Sequence, residues 1–150
     1  MIRILPHAKK PGLKILSGLC FILLIFSPLN SLYSQETLSS DELFIKARKA
    51  AFDDDNYPHA IALAKQALEI SPDYADIRIF LGRLYTWTDE VENARKEFKL
   101  VLEKNPGYED AVLAYGNLEY WNDNSEIALG IVEDGIQYNP GSQDLLVLKA

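Results

Sequence analysis

Two short stretches of this chain, GRLYTWTDE at residues 82–90 and GNLEYWNDN at residues 116–124, follow the same pattern 34 residues apart. The same spacing separates prolines and alanines elsewhere in the chain, at Pro72, Pro106, Pro140, Ala60, Ala94 and Ala128. A fixed period of this length is typical of repeat proteins, in which each repeat is one supersecondary unit and stacked units share a core. The period therefore constrains the fold more than any other feature of the chain.

The period predicts three full units, at residues 41–74, 75–108 and 109–142. A fourth unit begins at 143–150, and we expect it to continue beyond that point. In the second unit, apolar residues recur at helical spacing on both sides of a polar TDE. KNPG ends the second run, because proline cannot continue a helix. Each unit is therefore predicted to be a pair of helices, and the fold class is predicted to be all-α.

The second unit resembles the tetratricopeptide repeat, whose pattern is Trp-x2-Leu-Gly-x2-Tyr, then Ala-x3-Phe, then Pro. Six residues occupy the places that the family uses: Leu81, Gly82, Tyr85, Ala94, Phe98 and Pro106. The third unit departs from the pattern at Tyr115, Glu119 and Val132, and the first unit has Arg48 where the second has Gly. The resemblance covers residues 41–150 and implies a right-handed superhelical solenoid whose concave face is formed by the first helix of each unit.

The N-terminal segment has a different character from the repeats. Its basic start, Arg3, Lys9, Lys10 and Lys14, is followed by an apolar run at 15–26 and by small residues near position 34. This order is typical of a secretory signal peptide, so we predict a signal peptide at 1–34 and a linker at 35–40. The apolar run is shorter than the roughly 20 residues of a membrane span, although an uncleaved anchor remains the alternative.

The only cysteine, Cys20, lies inside this N-terminal segment, so the chain after residue 34 has no thiol.

The signal peptide, the few repeats and the endings LGRLYTW and NLEYW also resemble the exported repeat region that precedes an outer-membrane β-barrel in some bacterial proteins. This second resemblance implies a periplasmic or outer-membrane-associated location. It also implies a role in the assembly of an outer-membrane or export complex.

Charge and side-chain chemistry argue against several functions. Residues 35–150 hold 11 basic and 22 acidic residues, a balance that repels phosphate backbones and disfavours nucleic-acid binding. His59 is the only histidine after residue 34, and DDDN at 53–56 lacks the alternating ligands, glycine and distal glutamate of a calcium loop. We therefore predict no catalytic residue, no metal site and no cofactor, and we expect a protein that is not an enzyme.

The concave groove is the remaining candidate site. The tetratricopeptide resemblance implies that fixed positions of each first helix face this groove. The predicted binding residues are Ile45, Lys49, Phe52, Ile79, Arg83, Trp87, Leu113, Asn117, Tyr120 and Trp121. The fifth position of each first helix is aliphatic, whereas family members that clamp a terminal carboxylate use polar residues in the groove. We therefore do not expect a clamp of that kind.

The two tryptophans allow two interpretations. Each ring could fill the joint between its own unit and the next, because large aromatic side chains are mostly buried. Alternatively, Trp87 and Trp121 could form a row of exposed rings that contacts a ligand.

The first function predicted is a non-catalytic scaffold that binds a protein or peptide partner, such as an outer-membrane or export component. The alternative is a glycan-contacting module of a polysaccharide export system.

Overall fold

The computed structural model describes residues 38–150, which form seven α-helices and, within that range, no β-strand. The helices are α1 (Ser40–Phe52), α2 (Tyr57–Ile70), α3 (Ala75–Trp87), α4 (Val91–Lys104), α5 (Glu109–Trp121), α6 (Ser125–Tyr138) and α7 (Gln143–Lys149). The all-α prediction is confirmed. The predicted signal peptide and the first residues of the linker lie outside the described residues.

The helices follow the predicted period closely. α3, α5 and α7 begin at residues 75, 109 and 143, the first positions of the predicted units, and α1 begins one position before residue 41. α1, α3 and α5 each pack against the even-numbered helix that follows, and α2, α4 and α6 also pack against the first helix of the following unit. The described residues therefore form a helical-repeat solenoid, in which each unit contributes a first and a second helix.

The turn within each unit contains an aspartate in the left-handed region. Asp55, Asp89 and Asp123 have φ values of 49°, 62° and 62°, and they lie one period apart. Aspartate tolerates this conformation better than most residues because its short polar side chain hydrogen-bonds locally. In the second unit the Glu90 N–H donates to the Tyr85 carbonyl at 2.8 Å, which closes the end of α3. DDDN thus forms one member of a repeated helix-ending turn.

Small residues set the distance between the paired helices. Gly82 on α3 lies against the ring of Phe98 on α4, which is fully buried. A β-carbon at Gly116 would lie 2.9 Å from a methyl group of Val132, so the pair α5–α6 approaches in the same way. Three of the alanines that share the period, Ala60, Ala94 and Ala128, are buried on the second helices. The 34-residue pattern of small residues therefore marks the places where helices meet.

A buried ion pair joins the second unit to the third. Glu119 on α5 is 1% exposed and occupies the place that Tyr85 has one unit earlier. Arg95 on α4 donates to both of its carboxylate oxygens, at 2.5 and 2.8 Å, and the Asn124 amide donates to it at 2.9 Å. The hydrogen bonds from Arg95 hold the pKa of Glu119 below its usual range, and the amide of Asn124 adds to this effect.

Gly82→Ala should lower the free energy of unfolding by about 1–3 kcal/mol, because the new methyl group would overlap the Phe98 ring in a packed core. Gly130→Ala is the matched control, since a β-carbon at that position in α6 meets no atom within 4 Å. The control should gain about 0.5–1 kcal/mol from helix propensity. Urea unfolding followed by circular dichroism measures both changes. A neutral Gly82→Ala would show that this helix pair is not in tight contact.

Arg95→Ala should destabilise the fold by about 3–5 kcal/mol near neutral pH, because it leaves a buried carboxylate without its cation. The pKa of Glu119 is lowered in the intact pair, so the pair stabilises the fold above the unfolded-state pKa and loses this effect as pH falls through the folded-state pKa. The difference in stability between Arg95→Ala and the unmodified protein should therefore shrink in acid. A difference that stays constant from neutral to acidic pH would contradict this account.

Candidate functional site

The first helices repeat the same kinds of side chain at the same positions of successive units. Residues at equivalent positions of α3, α5 and α7 lie near one another, because these helices pack in sequence. One position is acidic, one is aliphatic, and one is basic or amidic; their members are, in that order, Glu42, Asp76, Asp110 and Asp144; Ile45, Ile79, Leu113 and Val147; Lys49, Arg83 and Asn117. Two adjacent positions near the end of the helix carry aromatic side chains, Phe52 and Tyr120 at one and Trp87 and Trp121 at the next.

A first cavity, of about 290 Å³, lies over α1 and α3. Its apolar wall consists of Phe44, Phe52, Ile79 and Phe80. The ring of Phe80 lies 5.5 Å from that of Phe44 and 5.9 Å from that of Phe52, measured between centroids. These edge and tilted contacts stabilise aromatic pairs, so the wall is held by packing between the first and second units.

Charged groups border this cavity on two sides. Arg48 and Arg83 contribute guanidinium groups, and Asp76 and Asp110 contribute carboxylates. Asp76 is already engaged, because it accepts a hydrogen bond from the Tyr108 hydroxyl, and this bond raises the pKa of Tyr108 to about 12. Within residues 38–150, neither arginine forms an ion pair.

A second cavity, of about 280 Å³, lies over α3 and α5. Both tryptophans line this cavity, and other residues of α5 form its floor. Arg83 borders this cavity as well as the first. The lining residues are Arg83, Thr86, Trp87, Leu113, Ala114, Asn117 and Trp121. Arg83 therefore stands between two adjoining cavities that follow the stack of first helices.

The predicted groove residues divide into two sets. Seven line one or both cavities: Phe52, Ile79, Arg83, Trp87, Leu113, Asn117 and Trp121. The structure does not bring the other three, Ile45, Lys49 and Tyr120, into either cavity. Ile45 is 67% exposed, the Lys49 ammonium lies 3.5 Å from the Asp54 carboxylate, and Tyr120 borders a separate cavity beside α6 and α7.

Seven residues that line the two cavities lie outside the predicted set: Phe44, Arg48, Asp76, Phe80, Thr86, Asp110 and Ala114. Phe44 and Arg48 line the first cavity, and the Arg48 guanidinium lies 5.9 Å from the centre of the Phe44 ring. Arg48 was visible in the sequence as a departure, since it stands where the second and third units have glycine. A large cationic side chain does not fit at a small-residue position between two packed helices. The arginine at this position is therefore the sequence feature that indicates an exposed side chain there.

The two tryptophans are not equivalent. Trp87 is 44% exposed and packs against Phe52 and Tyr57 of the preceding unit, with centroid distances of 5.9 and 5.8 Å. Trp121 is 66% exposed. The packing interpretation therefore accounts for part of Trp87, at the joint with the preceding unit instead of the following one, and it does not account for Trp121. Both rings present an exposed surface to the second cavity.

Residues 38–150 contain no cluster of histidine, cysteine or acidic side chains that could hold a metal ion. In the same range, no helix has both the length and the apolar character needed to cross a membrane. His59 is exposed at the start of α2, where its backbone N–H donates to the Asn56 side chain at 3.1 Å.

The fold and the groove define a helical-repeat protein of the solenoid class. A sequence model of the tetratricopeptide repeat family matches residues 51–114, and the solved structures that are similar to the chain include tetratricopeptide proteins. Over residues 51–114 the chain is thus similar in sequence to tetratricopeptide repeats, and its fold is that of tetratricopeptide domains. A comparison with curated protein sequences gave no significant match.

Three solved structures illustrate the similarity. The Sgt2 tetratricopeptide domain from Aspergillus fumigatus is 23% identical, with a TM-score of 0.66 over 73% of this chain and 74% of that one. The first tetratricopeptide domain of Spaghetti (RPAP3), bound to the HSP90 peptide SRMEEVD, is 17% identical, with a TM-score of 0.65 over 74% and 87%. YrrB, described as having an unusual peptide-binding site, is 20% identical, with a TM-score of 0.67 over 75% and 58%. At these identities the likeness establishes the fold.

Trp121→Ala should change the free energy of unfolding by less than about 1 kcal/mol, as exposed substitutions usually do. Trp87→Ala should cost about 1.5–3 kcal/mol, because it removes two aromatic contacts and a half-buried ring. Acrylamide quenching of Trp87→Phe, which retains only Trp121, should exceed quenching of Trp121→Phe, which retains only Trp87. Equal quenching in the two variants would contradict the different burial of the two rings.

Proposed function

We propose that this protein is a non-catalytic interaction module that binds an extended peptide segment of a partner protein in the groove of its first helices. The observation that carries the proposal is the pair of adjoining open cavities over α1, α3 and α5, which share Arg83. Ligand sites are usually concave and mostly apolar, with a few polar groups that fix orientation. The second cavity has this character, and the first combines four apolar residues with four charged ones.

The chemistry of the second cavity suits a peptide backbone as well as side chains. Leu113 and Ala114 offer an apolar floor, and the rings of Trp87 and Trp121 offer flat walls. Asn117 offers an amide that both donates and accepts hydrogen bonds, which the free N–H and C=O groups of an extended chain require. Two of the similar structures are described in terms of peptide binding, one with the HSP90 peptide SRMEEVD and one with an unusual peptide-binding site. These descriptions support a peptide as the class of ligand.

A selection from displayed random dodecapeptides tests this proposal. Enriched peptides should bind the purified protein and should lose at least about tenfold in affinity to Trp121→Ala, because that ring is exposed in the cavity and not required for folding. Lys65→Glu, on the second helix of the first unit, is a control that alters exposed charge outside the groove. The proposal fails if no peptide is enriched, or if the enriched peptides bind Trp121→Ala as well as the unmodified protein.

A second candidate function is favoured by one observation, the two exposed indole rings that line the same cavity. Flat aromatic faces suit the apolar faces of sugar rings, so a glycan-contacting module is the alternative. A glycan array probed with the unmodified protein and with Trp87→Phe and Trp121→Ala separates the two functions. Saturable glycan binding that both variants weaken, together with no peptide enrichment, would replace the first proposal with the second.

We also propose that the chain is exported to the periplasm, where it supports the assembly of an outer-membrane or export complex. The basic start and the short apolar run of residues 1–34 support export. Expression of the full chain in a Gram-negative host should yield a periplasmic product that lacks about 34 residues, a length that signal peptides share, as measured by intact mass. A product of full length that stays with the inner membrane would favour the uncleaved anchor.

A further inference from the structure

Exposed aromatic rings lie along one edge of the solenoid, where the first helices end. Trp87 is the last residue of α3, and Tyr120 and Trp121 end α5, with 44%, 59% and 66% of their surfaces exposed. Trp87 contacts Phe52 at the end of α1, and Trp87 and Trp121 line one cavity, so the ends of these helices lie side by side. We call the surface formed by Trp87, Tyr120 and Trp121 the aromatic edge. Exposed tryptophan and tyrosine are the residues that most often dominate the energy of a protein interface.

The turns beside the aromatic edge carry carboxylates. Asp89 and Glu90 follow Trp87, Asp123 follows Trp121, and all three acidic residues are exposed. The sequence has no lysine or arginine at 84–94 and none at 105–148. On α3 the nearest cation is Arg83, four residues before Trp87 and about 6 Å further from the turn along the helix axis. The aromatic edge is therefore bordered by negative charge on the side of the turns.

The excess negative charge of the chain is concentrated in the unit that supplies the two most exposed rings. Residues 109–142 contain seven acidic residues and no basic one, whereas residues 75–108 contain six of each. The acidic residues of the third unit are Glu109, Asp110, Glu119, Asp123, Glu126, Glu133 and Asp134. Cations from elsewhere reach two of them, since Arg95 pairs with Glu119 and Lys149 pairs with Glu133. The remaining field attracts a cationic partner.

We propose that the aromatic edge docks a basic segment of a partner protein. Lysine or arginine side chains of that segment lie over the exposed faces of Trp87 and Trp121 and pair with the carboxylates of Asp89 and Asp123. A cation over an aromatic face is attracted by the ring quadrupole, and tryptophan gives the strongest attraction. The contact lies on the turn side of the two rings, outside the cavities. The inference rests on the proposed function only in taking the partner to be a protein.

Charge and exposed apolar surface together select this occupant. An acidic segment would meet the turn carboxylates as like charges. An uncharged apolar segment would cover the rings but would withdraw water from Asp89 and Asp123 without offering them a partner. A basic segment satisfies both features, because the methylene groups of lysine and arginine cover apolar surface while their charged ends reach the carboxylates.

Synthetic peptides with both ends blocked test the inference with the purified protein. The probe Ac-GRGKGRGSG-NH2 has a cation at every second position, so that its three cations share one face of an extended chain. A second probe has glutamate at the same three positions. Isothermal titration calorimetry should show that the basic probe binds at least about tenfold more tightly than the acidic one, and its affinity should fall as salt is added. Equal affinities for the two probes would overturn the inference.

A pair of aspartate substitutions isolates the charge of the turns. Asparagine adopts the left-handed conformation of Asp89 and Asp123 as readily as aspartate does, so Asp89→Asn combined with Asp123→Asn should keep the circular-dichroism spectrum. This double variant should bind the basic probe at least about threefold more weakly. Glu103→Gln combined with Asp134→Asn is the matched control, because it removes the same charge from exposed positions of α4 and α6. An equal loss of affinity in the two variants would show non-specific attraction and contradict the inference.

The ring of Trp121 is tested separately from its apolar surface. Trp121→Leu keeps an apolar side chain but has no ring face for a cation, so it should weaken binding of the basic probe at least about threefold. Unchanged affinity in this variant would exclude the contact between the cation and the ring.

The outcomes distinguish this inference from the broader proposal. If the dodecapeptides selected on the protein show no excess of lysine or arginine and bind the double aspartate variant normally, the basic partner is wrong and peptide binding in the groove stands. If the selected peptides are basic and lose affinity to that variant but not to its matched control, both are supported. If no probe and no selected peptide binds, both proposals fall.

Discussion

The contact between Gly82 and the ring of Phe98 sets the geometry on which the rest of the structure depends. Because the glycine has no β-carbon, α3 and α4 approach closely enough for the ring to fill the space between them. Gly116 and Val132 repeat this arrangement in the next pair with a smaller apolar partner. Close pairs of this kind let the first helices α3, α5 and α7 pack in sequence, and side chains of α1, α3 and α5 border the groove.

Much of this architecture could be predicted from the sequence, because the signals for it are local. Helical periodicity, prolines after each second helix and the repeated small residues mark helices and turns without knowledge of distant contacts. The left-handed aspartates lie where polar tripeptides interrupt the apolar pattern. The period then places each element, since a unit of the same length at each step has to fold in the same way.

The parts that could not be predicted depend on contacts between units. Glu119 is a departure from the family pattern in the sequence alone, and its burial makes sense only beside Arg95, which lies 24 residues earlier on the neighbouring pair. Arg78 replaces the aromatic first residue of the pattern and lies half-buried, donating to Glu97 at 2.6 Å and to the Pro72 carbonyl at 2.8 Å. Neither partner follows from the period, because the ion pairs are specific to one unit or one joint.

In the candidate site, too, some residues follow from the repeat pattern and others depend on contacts between units. Position in the repeat places seven residues along the groove, but it assumes that every unit presents the same positions to the ligand. Ile45 and Lys49 belong to the first unit, where the cavity wall is built from Phe44 and Arg48 instead. Tyr120 turns toward the space beside α6 and α7. The concave surface is thus selected by how neighbouring units pack, and a single repeat pattern does not carry that information.

The joint between the first and second units and the joint between the second and third units rely on different side chains. Aromatic rings, including Phe52 against Phe80 and Trp87, hold the first unit to the second. The Arg95–Glu119 ion pair lies between the second unit and the third. Apolar contacts weaken on cooling, whereas the ion pair weakens as its carboxylate is protonated. Cooling therefore weakens the apolar contacts of both joints, including Phe98 against Tyr115 at the second, whereas acid acts in addition on the joint that carries the Arg95–Glu119 pair.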